Sequence, residues 1–378
     1  MTKKIQTAIG LMSGTSIDGI DVSLIRSDGH SITEKEFNNY YPYDKELKNT
    51  LRNIINKAEL SLKEIKDAEL KITNQHIEAI ENFINHNNLK KKDIDLIGFS
   101  GHTILHDPKN SISWQIGNAQ LLASATKINV VADFRIKDVI YSGQGAPLVP
   151  IYHHALFSNH KNKPIIILNI GGVSNITYLQ DDNINNIIAC DICFGNAPMD
   201  DLVYKFNGGE FDRDGEMAKS GEIDYDLAEK ILKQEYFSKK PPKSLDRNHF
   251  HQILNEKLLS KFNKSEISNT LKTICYIITK SLEIEVKRLK IKPKEIIVCG
   301  GGRNNDTIMQ MLQENFKKIK VYNIDDFGFN GNFIESQAFA FLAIRRSKNL
   351  PITFSNTTGL DINQAKEESI DGGVIYNF

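Results

Sequence analysis

The sequence predicts an α/β fold of two related domains, and three observations support this prediction. Apolar runs of strand length alternate with longer stretches of helical spacing, which is typical of sheets covered by helices. A strand followed by a glycine turn occurs near Gly14 and again near Gly171, and a third glycine run follows a late strand at 300–302. Because the same strand–loop unit occurs on two separate parts of the chain, we expect two domains that close on one ligand.

The predicted elements follow from the spacing of apolar residues. Strands are expected at 6–11, 19–25, 94–100, 127–132, 163–170 and 295–298, the first two as a hairpin. Helices are expected within 45–88, through most of 200–289, and at 307–316. The expected domains are residues 1–130 together with 346–378, and residues 131–345.

The charge balance argues against two classes of partner. Lysine plus arginine and aspartate plus glutamate both number 47, so the formal net charge is zero. This balance predicts neither a nucleic-acid partner nor a membrane-surface partner. The N-terminus lacks the apolar core of a secretory signal, and the longest aliphatic runs are too short to span a bilayer. We therefore expect a cytoplasmic protein, and the sequence leaves open whether it forms a homodimer.

Two pairs of candidate metal ligands are better explained without a metal. Cys190 and Cys193 form one C-x-x-C, but no second cysteine pair completes a zinc site, so buried thiols are expected. His102 and His106 have the spacing of a helical metal site. They follow a predicted strand and are separated by β-forming residues, which argues against that site.

The first glycine loop, at 13–19, has the composition of a phosphate-binding turn. Its main-chain N–H groups and hydroxyls can point at one anion. It is not a Walker A loop, because the G-x-x-x-x-G-K pattern is missing and a strand follows. A hairpin of this kind at the start of a chain is the phosphate-binding solution of actin and hexokinase, with a plain β-turn as the alternative. The expected nucleotide-binding residues are Gly14, Thr15, Ser16, Ile17, Asp18, Gly19, Ile20 and Asp21, with Asp18 placed to hold Mg²⁺.

Two further loops extend the nucleotide site. They contain Asn169, Gly171 and Gly172 between two strands, and Gly300, Gly301 and Gly302 between a strand and a helix. Three successive glycines leave no side chain in the way, so an adenine ring can lie against the backbone. Each loop alone is a weak signal, but the ordered set predicts binding of ATP with Mg²⁺.

Charged residues near predicted strand ends and one helix start are candidates for substrate chemistry. Arg135 and Asp138 lie in a polar cluster after a strand, where ligand groups gather in α/β proteins, with an exposed ion-pair network as the alternative. The glycine- and proline-rich segment 143–150 follows as a shaped loop. Asp191 is a strand-end carboxylate that could serve as a general base. Glu335 begins an apolar helix, where the helix dipole alone would explain a carboxylate.

Together these motifs resemble those of the anhydro-N-acetylmuramic acid kinase family. The opening motif is Gly-Leu-Met-Ser-Gly-Thr-Ser-Ile-Asp-Gly-Ile-Asp at 10–21. The likeness continues through 101–103, 114–117, 133–135, 143–150, 169–177, 211–215, 241–244, 300–302 and 334–343. It therefore covers nearly the whole chain in order, and its most distinctive parts are the opening motif and the pair 133–135 and 143–150.

The resemblance implies a fold, a reaction and roles for individual residues. The fold is a two-domain, actin-like ATPase of the ribonuclease H-like type, with ATP and Mg²⁺ in a cleft between the domains. In the reaction, water opens the 1,6-anhydro ring of the sugar at C1, and the freed O6 takes the γ-phosphoryl group of ATP. The product is N-acetylmuramic acid 6-phosphate, which feeds cell-wall recycling. By the same resemblance Asp191 is the base, and the sugar is bound by Ser13, Arg135, Asp138 and Glu335.

One segment departs from the family pattern. The family usually has Asp-Thr-Gly-Pro-Gly-Asn where residues 191–196 of this chain are Asp-Ile-Cys-Phe-Gly-Asn. The bulkier apolar residues predict a differently shaped loop around the base.

Two other functions are consistent with an ATP site of this kind. One is a kinase for an ordinary sugar or amino sugar, without ring opening. The other is an ATP-driven switch or filament protein of the actin type, which would need neither a base at Asp191 nor the polar cluster at 133–138.

Overall fold

The structure is a computed structural model that describes residues 4–14, 17–56, 59–245 and 266–378. Contacts divide the chain into two units. The first unit comprises Met1–Asn159 and Phe333–Phe378, and the second comprises His160–Asn332. No helix in the described ranges is long and apolar enough to cross a membrane.

Strands occur in both units. In chain order they are β1 Gln6–Met12, β2 Gly19–Ser27, β3 Ile32–Pro42, β4 Leu96–Phe99, β5 His102–Asp107, β6 Ile112–Ile116, β7 Asn129–Ala132, β8 Ile165–Ile170, β9 Val173–Leu179, β10 Ile188–Phe194, β11 Glu295–Cys299, β12 Lys320–Asn323, β13 Thr353–Phe354, β14 Ser369–Ile370 and β15 Val374–Tyr376.

Helices lie between most of these strands. They are α1 Lys45–Asn56, α2 Leu62–His86, α3 Ala119–Thr126, α4 Ile136–Ile140, α5 Pro150–Leu156, α6 Ala197–Asn207, α7 Glu216–Lys219, α8 Tyr225–Leu232, α9 Glu235–Ser238, α10 Ile267–Leu289, α11 Asp306–Asn315, α12 Ile334–Ser347, α13 Ser355–Thr358 and α14 Ile362–Ala365.

The main sheet of the first unit has the order β15-β7-β4-β1-β2-β3. Strands β1, β2 and β3 form an antiparallel meander, while β4 is parallel to β1 and β7 is parallel to β4. The C-terminal strand β15 joins the edge antiparallel to β7.

The sheet of the second unit repeats the same arrangement. Its order is β10-β9-β8-β11-β12, in which β8, β9 and β10 form the antiparallel meander. Strands β11 and β12 then continue parallel to β8. Each unit thus contains a three-strand meander followed by two parallel strands, which is the strand order of the ribonuclease H-like fold. The predicted α/β fold with two related domains is confirmed.

The domain limits expected from the sequence differ from this division. Residues 131–159 and 333–345, expected in the second domain, group with the first unit. Residues 333–345 group with the first unit because helix α12 packs against β1, β2 and β4. An apolar helix near a boundary can cover either neighbouring sheet, and only the fold decides which.

Each unit has its own apolar core. Buried members include Ile9, Leu11, Val22, Ile80 and Phe83 in the first unit and Ile166, Leu168, Ile274, Ile278 and Val298 in the second. The strand residues come from alternating positions of β1, β8 and β11, as expected when one face of a strand packs on helices.

Two glycines let helix α12 lie directly on the sheet of the first unit. A Cβ atom on Gly10 would lie 1.8 Å from the carbonyl oxygen of Ser336, and one on Gly98 would lie 2.1 Å from that of Phe339. Side chains at these positions would push the helix away, so the absence of Cβ sets the helix–sheet distance. This contact also fixes the first turn of α12, where Glu335 lies.

Most predicted elements are present, and two differences from the prediction are informative. The hairpin β1–β2 and the helix that begins near Glu335 are confirmed, whereas the strand β3, rich in polar residues, was missed. Asp191 was expected at a strand end, which is wrong because β10 continues to Phe194 past a bulge between Asp191 and Cys193.

We predict that Gly10→Ala destabilises the protein by about 3 kcal/mol, because the added methyl group collides with main-chain atoms that cannot rotate away. Urea unfolding followed by circular dichroism measures the change. Gly209→Ala is the control, since its Cβ would meet one side-chain atom, Cγ1 of Val203 at 3.2 Å, and no main-chain atom of a distant residue within 4 Å. Equal midpoints for the two variants would contradict the proposed helix–sheet contact.

Candidate active site

The turn between β1 and β2 presents main-chain atoms of the first glycine motif. The Ile17 amide donates to the Gly14 carbonyl at 3.2 Å, and the Gly19 amide donates to Oδ1 of Asp18 at 2.9 Å. The side chains of Ile17 and Ile20 are buried in the core, so only their main chain can face a nucleotide. The predicted residues Thr15 and Ser16 lie outside the described residues.

Ser13 is held by two buried side chains of the first unit. Its Oγ accepts a hydrogen bond from the Tyr43 hydroxyl and lies 2.9 Å from Nδ1 of His102. All three side chains are buried. The Ser13 hydroxyl is therefore committed to protein contacts, which anchor the start of the turn. Tyr43 gave no signal in the sequence, because nothing local links a tyrosine to a serine 30 positions away.

Three carboxylates of the first unit lie close together. Burial raises the pKa of Asp21 to about 8, and repulsion from Asp18 and Glu335 adds to this effect. A bound cation would relieve that repulsion, so Asp18 and Asp21 fit a divalent ion such as Mg²⁺. No three acidic, cysteine or histidine side chains in the described ranges form a complete metal site. Mg²⁺ usually takes one or two protein carboxylates plus phosphate and water.

Asp138 shapes the glycine- and proline-rich loop of the first unit. It is 1% exposed and accepts hydrogen bonds from the Gly145 amide at 2.7 Å and the Thr358 hydroxyl at 2.6 Å. Burial raises the pKa of this carboxyl, although these hydrogen bonds oppose the shift. A Cβ atom on Gly143 would lie 2.2 Å from Oδ2 of Asp138. Gly143 and Gly145 of the loop thus both pack against the buried carboxyl group of Asp138.

Arg135 lies against the same loop. Its Nη1 donates to the Gly145 carbonyl at 2.6 Å, which holds the half-buried guanidinium beside residues 143–150. His106 lies next to it, and burial, aided by repulsion from Arg135, lowers the pKa of this imidazole to about 4. Nδ1 of His106 bonds with Ser113, whereas Nδ1 of His102 bonds with Ser13. The two histidines therefore have separate partners.

In the second unit, the loop between β8 and β9 packs against the start of α6. The Asn196 amide donates to the Gly171 carbonyl at 2.7 Å, and the Gly195 amide donates to the Gly172 carbonyl at 2.9 Å. A Cβ atom on Gly195 would lie 2.1 Å from the Gly171 carbonyl oxygen. Gly195 and Asn196, which match the family pattern, thus hold the second glycine loop.

The third glycine loop meets the second at the ends of two parallel strands. Cys299 of β11 pairs with Asn169 of β8, so both loops leave the sheet at the same edge. A Cβ atom on Gly300 would lie 2.5 Å from Oδ1 of Asn169, and one on Gly302 would lie 2.3 Å from Ile170. The structure therefore brings together Asn169, Gly171, Gly172, Gly300, Gly301 and Gly302 at one sheet edge, where ligands bind in α/β proteins.

Segment 211–215, another motif that resembles the family, contacts the residues that follow the third glycine loop. The Thr307 hydroxyl donates to the Gly215 carbonyl at 2.9 Å, and a Cβ atom on Gly215 would lie 2.2 Å from Oδ1 of Asn305. Oδ1 of Asn305 also accepts a hydrogen bond from the Ile308 amide and so caps α11. Segment 211–215 therefore packs beside the third glycine loop. Asn305 was missed, although an asparagine before a predicted helix is a recognisable cap.

Asp191 lies in the sheet of the second unit and is 5% exposed. In this sheet Asp191 of β10 lies opposite Asn175 of β9, and Asn175 lies opposite Asn169 of β8. Directly paired residues project from the same face of a sheet, so a polar row runs from Asp191 to the glycine loops. Oδ2 of Asp191 accepts a hydrogen bond from the Leu245 amide at 2.8 Å. The carboxylate is thus oriented by a main-chain donor.

The residues that depart from the family pattern lie in the core. Ile192, Cys193 and Phe194 are all at most 2% exposed and belong to the apolar cluster of the second unit. The prediction of buried thiols is confirmed, since all four cysteines are buried. Burial raises the pKa of Cys193 to about 12.

Comparison with known proteins then decides the family. A family model described as anhydro-N-acetylmuramic acid kinase matches residues 6–377. The chain belongs to this family. Its relatives include anhydro-N-acetylmuramic acid kinases of Zymomonas mobilis, 40% identical over 93% of this chain and 96% of that protein, and of Bradyrhizobium diazoefficiens, 38% identical over 98% of each.

Two solved structures are also similar to this member of the anhydro-N-acetylmuramic acid kinase family. Component A of the (R)-2-hydroxyglutaryl-CoA dehydratase of Acidaminococcus fermentans has a TM-score of 0.47 at 12% identity, covering 91% of this chain and 99% of that one. A putative N-acetylmannosamine kinase from Listeria monocytogenes has a TM-score of 0.39 at 11% identity, covering 91% and 100%. The predicted family and the assignment to kinases are confirmed, and membership of a kinase family implies the use of ATP.

We predict that Gly300→Ala raises the KM for ATP about 10-fold or more, because the new methyl group displaces Asn169 and Ile170 at the loop junction. Steady-state kinetics with varied ATP measures the effect. Gly328→Ala is a matched control, since Gly328 has the same φ of 74° but no atom within 4 Å of the added Cβ. If both variants bound ATP equally well, the third loop would have no part in nucleotide binding.

Proposed function

We propose that this enzyme opens the 1,6-anhydro ring of 1,6-anhydro-N-acetylmuramic acid with water and phosphorylates the freed O6 with ATP. The products are N-acetylmuramic acid 6-phosphate and ADP, as required in cell-wall recycling. The observation that carries the proposal is the family match over residues 6–377. The arrangement of side chains within each unit supports the role of each residue.

The reaction needs one base. Water attacks C1 of the sugar, the C1–O6 bond breaks, and Asp191 takes the proton that the water loses. Ordinary glycosidases need a second carboxyl group to protonate the leaving oxygen. Here O6 forms a bond to the γ-phosphorus while the bond to the ADP oxygen breaks, so phosphorus captures the leaving oxygen. A single, firmly oriented carboxylate such as Asp191 is then sufficient.

Phosphoryl transfer depends chiefly on positioning and charge neutralisation. We assign nucleotide binding in the second unit to Asn169, Gly171, Gly172 and 300–302, which lie together at one sheet edge. In the first unit we assign phosphate binding to the main chain of 14–21. Asp18 and Asp21 would hold Mg²⁺, which supplies positive charge at the phosphates when bound.

The sugar contacts are proposed for the first unit. Arg135 can bond the lactyl carboxylate with both arms of its guanidinium, which the 143–150 loop holds in place. Glu335, fixed by the packing of α12, would accept hydrogen bonds from the sugar. Asp138 and Ser13 are engaged within the protein, so we expect them to shape the sugar site rather than to contact the sugar through these groups.

The substrates also suggest the setting of the enzyme. A small sugar and ATP require neither a nucleic-acid partner nor a membrane partner. Because ATP is made available in the cytoplasm, we propose that the enzyme acts there. A homodimer is a separate proposal that sedimentation equilibrium would test.

The reaction can be tested directly with the purified protein. Incubation with ATP, Mg²⁺ and 1,6-anhydro-N-acetylmuramic acid should release ADP and give a product heavier by one water and one phosphoryl group. A product heavier by the phosphoryl group alone would favour a plain sugar kinase. ADP release that does not depend on sugar would favour an actin-type ATPase and would refute the proposal.

We predict that Asp191→Asn lowers kcat roughly 10²- to 10⁴-fold, because the amide cannot take a proton from water. ATP affinity, measured by calorimetry, should stay within about twofold, since the glycine loops are unchanged. Asp182→Asn is the control, because Asp182 is an exposed carboxylate of the same unit. Full turnover by Asp191→Asn would remove Asp191 from the mechanism.

A further inference from the structure

A cluster of three charged side chains, of which two are buried and Arg288 is half-buried, lies behind the segment that contacts Asp191. Nζ of Lys243 is 2.9 Å from Oε2 of Glu285, and the two side chains are 5% and 2% exposed. Nη1 of Arg288 donates to the same oxygen at 2.7 Å. The nucleotide loops do not use this cluster, and the proposed chemistry assigns it no role.

The lysine segment contacts Asp191 through its main chain. The Lys243 carbonyl accepts a hydrogen bond from the Asp191 amide at 3.0 Å. Two residues later, the Leu245 amide donates to Oδ2 of Asp191 at 2.8 Å. One short segment therefore holds both the backbone and the carboxylate of the proposed base.

Tyr236 contacts both Asp191 and Lys243. Its hydroxyl donates to the carbonyl oxygen of Asp191 at 2.8 Å, and its ring lies 4.8 Å from Nζ of Lys243. The lysine ammonium is thus enclosed by an aromatic face and a carboxylate, both of which attract it. Any displacement of Lys243 would disturb contacts on each side of Asp191.

Glu285 gives this arrangement a rigid attachment. It lies on α10, a helix of 23 residues that is packed in the core of the second unit. Arg288 fixes the helix to the end of α9 by donating to the carbonyls of Phe237 and Lys239. Burying an ion pair is costly, and its best-supported benefit is a defined geometry rather than added stability. The geometry defined here is that of residues 243–245.

We propose that Lys243, through its ion pair with Glu285, is a positioning residue for Asp191. The pair ties residues 243–245 to α10, so that the Leu245 amide holds the carboxylate at the angle needed to accept a proton from water. This inference rests on the proposed role of Asp191 as the base. Lys243 belongs to the Pro-Pro-Lys-Ser motif at 241–244, whose function the glycine loops and the polar cluster leave unexplained.

The main test is Lys243→Met, which keeps much of the side-chain length and removes the charge. We expect kcat to fall roughly 10- to 100-fold, because small misplacements of a catalytic group have effects of this size. The KM for ATP should stay within about twofold, since the nucleotide loops do not contact the pair. Lys280→Met is the matched control, because it removes the partly exposed Lys280–Glu283 pair from the same helix and should leave kcat unchanged.

A second variant separates positioning from charge balance. In the double variant K243M/E285Q no buried carboxylate is left with the half-buried Arg288 as its cationic partner in place of Lys243, so the protein should fold even if Lys243→Met does not. We expect the double variant to keep the low kcat, because the attachment to α10 is still missing. Wild-type kcat in the double variant, or a rise in ATP KM that matches the loss of kcat, would overturn the inference.

A double-mutant cycle with D191N tests whether Lys243 acts through Asp191. Adding K243M to D191N should lower the residual rate less than about twofold, since the base that Lys243 positions is already absent. A further tenfold loss would show that Lys243 acts by another route. Full turnover by D191N would refute the proposed base itself, whereas full turnover by K243M with an inactive D191N would refute only the present inference.

Discussion

Backbone segments approach one another at several glycines more closely than any side chain would allow, and the candidate site depends on these contacts. In the first unit, Gly10 and Gly98 let α12 rest on the sheet. In the second unit, Gly195 lies against the Gly171 carbonyl, and Gly300 lies against Asn169. In each case a Cβ atom would meet main-chain or buried polar atoms that cannot move aside. The glycines therefore do more than expose N–H groups, because they also set the distances between the elements that carry the functional groups.

Buried polar groups perform the complementary task of holding these elements in one orientation. Asp138 accepts hydrogen bonds from the Gly145 amide and the Thr358 hydroxyl. The Ser13 hydroxyl is hydrogen-bonded to Tyr43 and His102. The Asp138 carboxyl group and the Ser13 hydroxyl thus each have two hydrogen-bond partners, which offsets their loss of contact with water. Ser13 and Asp138, which look like ligand contacts in the sequence, are thus internal supports of the first glycine turn and of the 143–150 loop in the structure.

The position of Asp191 combines both principles. The bulge after it lets β10 continue, so the apolar residues 192–194 enter the core while the carboxylate joins the polar row with Asn175 and Asn169. The bulkier residues that distinguish this chain from the usual family pattern therefore occupy the interior of the second unit. We infer that they alter the packing beneath Asp191, the proposed base. The direct partner of its carboxylate is the main-chain amide of Leu245.

The sequence by itself determined the α/β class, the repeat of one strand–loop unit, the glycine loops and, through its motifs, the family. These are local patterns, in which alternation, helical spacing and glycine runs reflect the backbone conformation of a few neighbouring residues. Tertiary structure alone decided that α12 covers the first sheet, that Tyr43 supports Ser13 across 30 positions, and that Lys243 and Glu285 meet behind Asp191. Such contacts join residues far apart in the chain, and no local pattern encodes which buried hydroxyl or charge will find which partner.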